Sequence, residues 1–216
     1  MSGYILKLLD RNRANRSGPV ITLKDRATIN SYDSSAELKD GGGLNLGPRH
    51  FNKKDVAITG HTKGLGEALY YQFSMKGHNV KGYSRSNGYD IRHFHTIAED
   101  AKDANIFINN AYDRYSQVDL LREVFINWQH KNKTIINISS LASTNLKPLL
   151  DQSLSPYAVC KIALDAQVKQ CQMVKSKCRI INIRPGHFNE LDLNELSEYI
   201  YFISMSKLNV LESVIQ

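Results

Sequence analysis

An apolar run, Val56-Ala57-Ile58-Thr59, passes directly into Gly60-His61-Thr62-Lys63-Gly64-Leu65-Gly66 and then into Glu67-Ala68-Leu69-Tyr70-Tyr71-Gln72-Phe73, which reads as a helix. Such a run suits a strand buried on both faces of a parallel sheet, and a parallel strand needs a crossover, usually a helix, before the next. The glycines permit a tight turn and close approach to the backbone, while the helix start offers N–H groups to an anion. Strand, glycine-rich turn and helix together form the device that cradles a dinucleotide pyrophosphate. A glycine-rich loop that binds nothing is the plainer alternative. Its place between a strand and an amphipathic helix argues against that.

The same alternation continues to the end of the chain. Strands are expected over 55–59, 79–84, 89–91, 105–110, 134–139 and 179–184, with a weaker one near 210–215. Helices are expected over 65–76, 95–103, 117–131 and 157–175, with a shorter one over 193–204. Alternating strands and helices require an α/β, doubly wound parallel sheet of Rossmann type. In the third helix Leu120, Leu121, Val124, Phe125 and Trp128 recur at helical spacing and form a core or subunit-interface stripe.

The first 54 residues do not share this pattern. They carry ten Lys/Arg against five Asp/Glu, or +5 of the formal +7, and include a Gly41-Gly42-Gly43 break. Only Val20-Ile21-Thr22-Leu23 reads as a strand there. The segment 1–54 is expected to be a basic, partly ordered arm, and 55–216 the nucleotide-binding domain. Because acids are mixed with the bases and aromatics are not interleaved, an arm lying on the domain or a neighbouring subunit is preferred to a nucleic-acid tether.

Length allows one domain with a sizeable core at 216 residues, of which 42% are hydrophobic and 23% charged. No apolar run approaches the roughly 20 residues that span a bilayer, and the N-terminal run is too short for a secretory signal. Cys160, Cys171 and Cys178 lack metal-ligand spacing and are expected to stay reduced in a cytoplasmic setting, with Cys160 packing its helix. His93-x-His95 lacks a recognisable third ligand, so no metal is assigned, and His187 reads as a loop histidine.

Tyr157 and Lys161, four residues apart on an expected helix, share a face. A neighbouring ammonium favours ionisation of a phenol, which would make Tyr157 a usable proton donor or acceptor near neutral pH. Taken with Thr59-Gly60-x-x-x-Gly64-x-Gly66, Asn109-Asn110-Ala111, Ile136-Asn137-Ile138-Ser139-Ser140 and Arg184-Pro185-Gly186, this pair occurs in the order of the short-chain dehydrogenase/reductase family, which the chain resembles from about Asp55 to Glu190.

That resemblance implies hydride transfer between nicotinamide and a carbonyl or alcohol. Tyr157 would move the proton, Lys161 would favour the phenolate and bind the nicotinamide ribose, and Ser140 would orient the substrate oxygen. The cofactor cleft would be lined by Thr59, Gly60, Thr62, Lys63, Gly64, Leu65, Gly66, Asn110, Ala111, Pro185, Gly186 and Phe188. Asp90-Ile91 resembles the pair that contacts adenine; a charged turn at a strand end is the plainer alternative. No acid follows the second strand, where Gly82-Tyr83-Ser84-Arg85-Ser86 stands. Arg85 would pair with a 2′-phosphate, with Ser84 or Ser86 bonding it, and Lys63 stands where NADP-preferring members often carry a base. NADP(H) is therefore expected over NAD(H).

Three departures bear on turnover. Only 29 residues separate Asn110 from Ser139, so the intervening helix is shortened and Asn127 does not match the asparagine that usually assists the proton relay. Tyr157 follows Ser140 by 17 residues, a longer spacing than usual, which leaves Ser139 and Ser143 as alternative hydroxyls. Tyr112 replaces a glycine and Glu190 a threonine of the family pattern. The segment after the Pro-Gly turn is short, so the site should be open and suited to a bulky or carrier-attached carbonyl substrate. The rival expectation is a catalytically weak dinucleotide-binding or interaction module. Pairing through the helices around Leu120 and Ala163 would give a homodimer or homotetramer.

Overall fold

The computed structural model describes residues 4–8, 20–22, 52–144, 155–186, 192–206 and 210–215, with the backbone alone for 4–8 and 20–22. Strands β1 (Tyr4–Leu8), β2 (Val20–Thr22), β3 (Asp55–Thr59), β4 (Asn79–Tyr83), β5 (Ile106–Asn109), β6 (Thr134–Ile138), β7 (Arg179–Pro185) and β8 (Val210–Ile215) form one sheet in the order β2-β1-β8-β7-β6-β5-β3-β4. The six from β3 to β8 are parallel; β1 runs antiparallel to β8, and β2 antiparallel to β1. From β3 the chain goes outward to β4, then crosses back to β5 on the other side. The switch point, where such sheets open a crevice at the carboxyl ends of their strands, thus lies between β3 and β5.

Helices α1 (Gly64–Met75) and α5 (Leu193–Met205) cover one face, and α2 (Phe94–Asp100), α3 (Ser116–Trp128) and α4 (Pro156–Met173) the other. Successive strand residues alternate between these layers. Val56, Ile58, Ile108, Ile136 and Ile183 meet Leu69, Phe73 and Ile200, whereas Ala57, Phe107, Ile135 and Ile180 meet Leu121, Trp128 and Leu164. Covering both faces explains why β5 to β7 read as nearly unbroken apolar runs.

One expected strand does not form. Residues 89–91 enter a 3-10 turn (Ile91–His93), because Asp90 accepts the Arg92 N–H at 2.9 Å and caps it while Ile91 drops into the core. β4 is therefore the edge of the sheet.

Candidate active site

The glycine-rich turn is fastened to the end of β5. Gly60, with φ of +69°, donates to the Tyr83 carbonyl at 2.8 Å. The buried Thr59 hydroxyl accepts from the N–H groups of Asn110 (3.0 Å) and Ala111 (2.9 Å), and the Asn110 amide donates back to the Thr59 carbonyl at 3.0 Å. At Gly66 a methyl group would lie 2.0 Å from the Gly60 carbonyl oxygen, so turn and helix close only with glycine there. Gly64 differs: its φ is +58° and a methyl group would meet nothing within 4 Å, so it faces open space. Leu65 is buried while Thr62, Lys63 and Gly64 are exposed, and no side chain caps the start of α1. An open glycine turn at an uncapped helix N-terminus fits a bound pyrophosphate.

At the β4 end, Ser84 N–H bonds the Asn87 side chain at 2.8 Å and its hydroxyl lies 2.8 Å from that of Ser86. Arg85 is exposed, and neither it nor Lys63 forms a salt bridge among the described residues. Asp90 is held by Arg92 (2.5 Å), whose hydrogen bonds keep its carboxyl well below the usual range. His61, which the sequence reading passed over, packs against Gly82, where a methyl group would lie 2.2 Å from the imidazole Cγ.

Helix α4 delivers the proton-handling pair. Ser155 accepts the Ala158 N–H at 3.3 Å and Pro156 opens the first turn, a strong helix start. Tyr157 thereby falls in the first turn, 36% exposed, and Lys161 one turn on, 3% exposed. Ser140 starts the 3-10 turn after β6, and its side-chain hydrogen bond with the Tyr157 phenol opposes the burial that pushes that phenol up. Of the alternative hydroxyls, Ser143 donates to the Ser140 carbonyl at 2.8 Å and that of Ser139 is buried without a partner among the described residues. The ring of Tyr112 meets Tyr157 edge-on, centroids 4.8 Å apart, and the two rings flank the Lys161 ammonium at 5.5 and 5.4 Å.

Among the described residues Lys161 forms no hydrogen bond with the Tyr157 hydroxyl. Its ammonium donates to the Gln117 side-chain oxygen at 2.8 Å and to the Ile138 carbonyl at 2.9 Å. Burial lowers its pKa to about 8 against the opposing pull of the Asp165 carboxylate. The phenol is raised by its own desolvation, and the Ser140 hydrogen bond opposes that rise.

Behind this lysine runs a buried polar ladder that no motif announced. Asn109, Asn137 and Asn182 are aligned in register across β5, β6 and β7. Asn109 donates to Asn137 (3.0 Å), Asn137 to Asn182 (2.9 Å) and Asn182 to Asp165 of α4 (2.8 Å). Asp165 also accepts from Arg184 at 2.7 Å, and Arg184 pairs with Glu212 of β8. Asn109 donates in addition to the Gln117 carbonyl at 2.9 Å, which joins the ladder to the lysine's partner.

Of the remaining expected site residues, Pro185 ends β7, and the Gly186 N–H is taken by the Ile215 carbonyl at 2.8 Å. Phe188, His187 and Glu190 lie outside the described residues. Asn127 sits in the last turn of α3, about 15 Å along the axis from Gln117 at a rise of ~1.5 Å per residue. The signal for Gln117 was its place on the apolar stripe, three residues before Leu120 and four before Leu121, where an uncompensated amide would be costly. His95 faces Glu123 of α3 at 3.4 Å.

No family model and no curated protein matches the chain. Solved structures do. A short-chain dehydrogenase from Burkholderia cenocepacia in complex with NADP aligns with a TM-score of 0.61 at 16% identity, over 76% of this chain and 88% of that one. Serine dehydrogenase from Escherichia coli aligns with a TM-score of 0.61 at 19% identity, over 75% and 97%. A 4-hydroxyisoleucine dehydrogenase complexed with NADH and succinate aligns with a TM-score of 0.56 at 21% identity, over 68% and 89%. With the parallel sheet, the switch-point glycine turn and the α4 tyrosine and lysine in place, the chain has the fold of the short-chain dehydrogenases/reductases.

Proposed function

We propose that the chain is a member of that family and an NADP(H)-dependent oxidoreductase acting on a carbonyl or alcohol. The observation that carries this reading is the convergence of Ser140, Tyr157 and Lys161 beside the residues that fasten the glycine turn, through the Tyr112–Tyr157 ring contact. Bound nicotinamide would supply or accept the hydride. The residues do the rest. Gly60, Gly64 and the open start of α1 would hold the pyrophosphate, and Asn110 and Ala111 would line the cleft between β3 and β5. Ser140 orients the substrate oxygen, and Tyr157 gives its proton to that oxygen in reduction or takes it in oxidation. Lys161 spends two N–H groups on Gln117 and Ile138 and keeps one for the ribose.

The preference for NADP(H) rests on Lys63 and Arg85, two exposed cations without ion pairs among the described residues, at the places a 2′-phosphate would need them. Similar folds were solved with either cofactor, so fold alone does not choose. The exposure of Tyr157 suits a bulky or carrier-attached substrate, and Val159, Ile162 and Ile126 give α4 and α3 an apolar outer surface for a second subunit.

The raised phenol of Tyr157 favours a second reading, a dinucleotide-binding module with weak turnover. Binding and single-turnover measurements separate the two. NADPH should quench intrinsic fluorescence at lower concentration than NADH, Arg85→Ala should erase the difference, and Tyr157→Phe should abolish oxidation of NADPH by an aldehyde or ketone panel without weakening binding. Equal binding of both cofactors would overturn the NADP(H) assignment, and binding without Tyr157-dependent oxidation would favour the module.

A further inference from the structure

Gln117 is 1% exposed, and every polar atom of its side chain is engaged. Its amide nitrogen donates to the Asn109 carbonyl at 2.8 Å and to the Ile138 carbonyl at 3.0 Å. Carbonyl oxygens only accept, so both amide hydrogens are committed and the amide cannot flip. Its oxygen must then face the Lys161 ammonium, which it meets at 2.8 Å. The backbone carbonyl of Gln117 is pinned as well, by Asn109 at 2.9 Å. These contacts tie the first turn of α3 to the ends of β5 and β6, with the oxygen presented inward.

We propose that Gln117 is the positioning residue for Lys161, fixing the ammonium in the interior and stabilising its charged form. The proposal rests on the oxidoreductase reading for its purpose, but not for its test. It gives the shortened α3 a function: with Asn127 at the far end of the helix, Gln117 in the first turn reaches the lysine directly. The other groups facing the ammonium are Tyr157, Cys160 and Asp165 on α4 and Tyr112 after β5, with Arg184 of β7 behind Asp165. Asp165 is the one full negative charge among them. It is shared with Arg184, which leaves two neutral acceptors to set where the ammonium sits: the Ile138 backbone carbonyl at 2.9 Å and the one side-chain contact, from Gln117 at 2.8 Å.

The test uses two variants of opposite electrostatic sign, with the Lys161 side chain followed by nuclear magnetic resonance in the free protein. Gln117→Met removes the acceptor, and the pH at which Lys161 titrates should fall by about one unit. Gln117→Glu places a carboxylate there, and the midpoint should rise. Both variants lose the two carbonyl contacts, so a purely structural residue would move stability in both and leave the midpoint in place or move it in one direction. In the wild-type protein the Gln117 side-chain amide signals should titrate with Lys161 and become flat in Lys161→Met, a readout that survives even if Gln117→Met fails to fold. Unchanged midpoints, same-direction midpoints, or a flat wild-type amide would each overturn the proposal. Absence of any NADPH-dependent turnover would sink the oxidoreductase reading and leave this result standing.

Discussion

Replacing Asp165 by asparagine should be among the most damaging single-atom changes in this fold, because the ladder has one end that can only accept. A carboxylate presents acceptors alone, so Asn182 must offer it an amide hydrogen. That leaves the Asn182 oxygen for Asn137, and the Asn137 oxygen for Asn109. The orientations of Asn182 and Asn137 are thus set by Asp165, and that of Asn109 jointly by Asn137 and the Gln117 carbonyl, in agreement with the 2.8, 2.9 and 3.0 Å contacts. An amide at position 165 supplies one acceptor where Asn182 and the Arg184 guanidinium both bring donors. One contact becomes donor against donor, and Arg184, 8% exposed, keeps its full ion pair only with Glu212 among the described residues.

Breaking a buried ion pair by removing one partner costs about 3–5 kcal/mol. Retention of Glu212 lowers the expectation for Asp165→Asn to about 2–4 kcal/mol, or roughly 5–15 °C in Tm for a domain of this size. Urea denaturation followed by circular dichroism measures it. The decisive companion is the exchange Asp165→Asn/Asn182→Asp. The amide now on α4 can donate to the carboxylate on β7 and accept from Arg184, while Asn137 still finds an acceptor. At least half of the lost stability should return. A loss below ~0.5 kcal/mol in the single variant, or no recovery in the exchange, refutes a directed ladder.

Two further outcomes follow from other parts of the structure. Gly66→Ala should cost much more than Gly64→Ala, since the first methyl meets backbone oxygen at 2.0 Å and the second meets nothing within 4 Å and bears only the strain of φ +58°, about 1–2 kcal/mol; calorimetry of the two variants gives the order. His78 accepts the Lys54 N–H and approaches the Tyr201 hydroxyl at 3.3 Å, and burial depresses its pKa below the ordinary 6.5. The unfolded chain therefore takes up a proton first as pH falls, so the stability present above pH 6.5 should be lost below it. Urea midpoints at pH 7.5 and 5.5 should differ less in His78→Gln than in the wild type.

Much of this architecture could be read from local pattern. Val56 to Phe73 specified strand, turn and helix because burial on two faces, glycine geometry and helical spacing all agreed there. The 89–91 segment shows the opposite case: a strand is expected there, but an Asp90 cap two residues before Arg92 wins. The ladder was invisible for a different reason. Ile108-Asn109, Ile136-Asn137 and Ile181-Asn182 recur in three strands, yet only strand order and register show that the asparagines lie side by side. Gln117 carried a local sign, a polar residue on an apolar stripe, but its partner 44 residues away did not.

The relation between Tyr157 and Lys161 is the point at which helical spacing was necessary and insufficient. Spacing put both on one face of α4, but the ammonium follows its best acceptors, and those are the Gln117 oxygen and the Ile138 carbonyl. Between the two residues there is then a cation lying 5.4 Å from the ring centroid and no contact with the phenol oxygen among the described hydrogen bonds. An ammonium over the ring is held by the negative face of the aromatic system, whereas one beside the oxygen would be held by developing phenolate charge. The lysine charge is thus held by two neutral oxygens with the Asp165 carboxylate beyond them, while the phenol is raised by burial and lowered by its contact with Ser140. Ser140 already pulls the phenol down against its burial, and a group bridging the remaining Lys161 N–H to the phenol oxygen would lower it further.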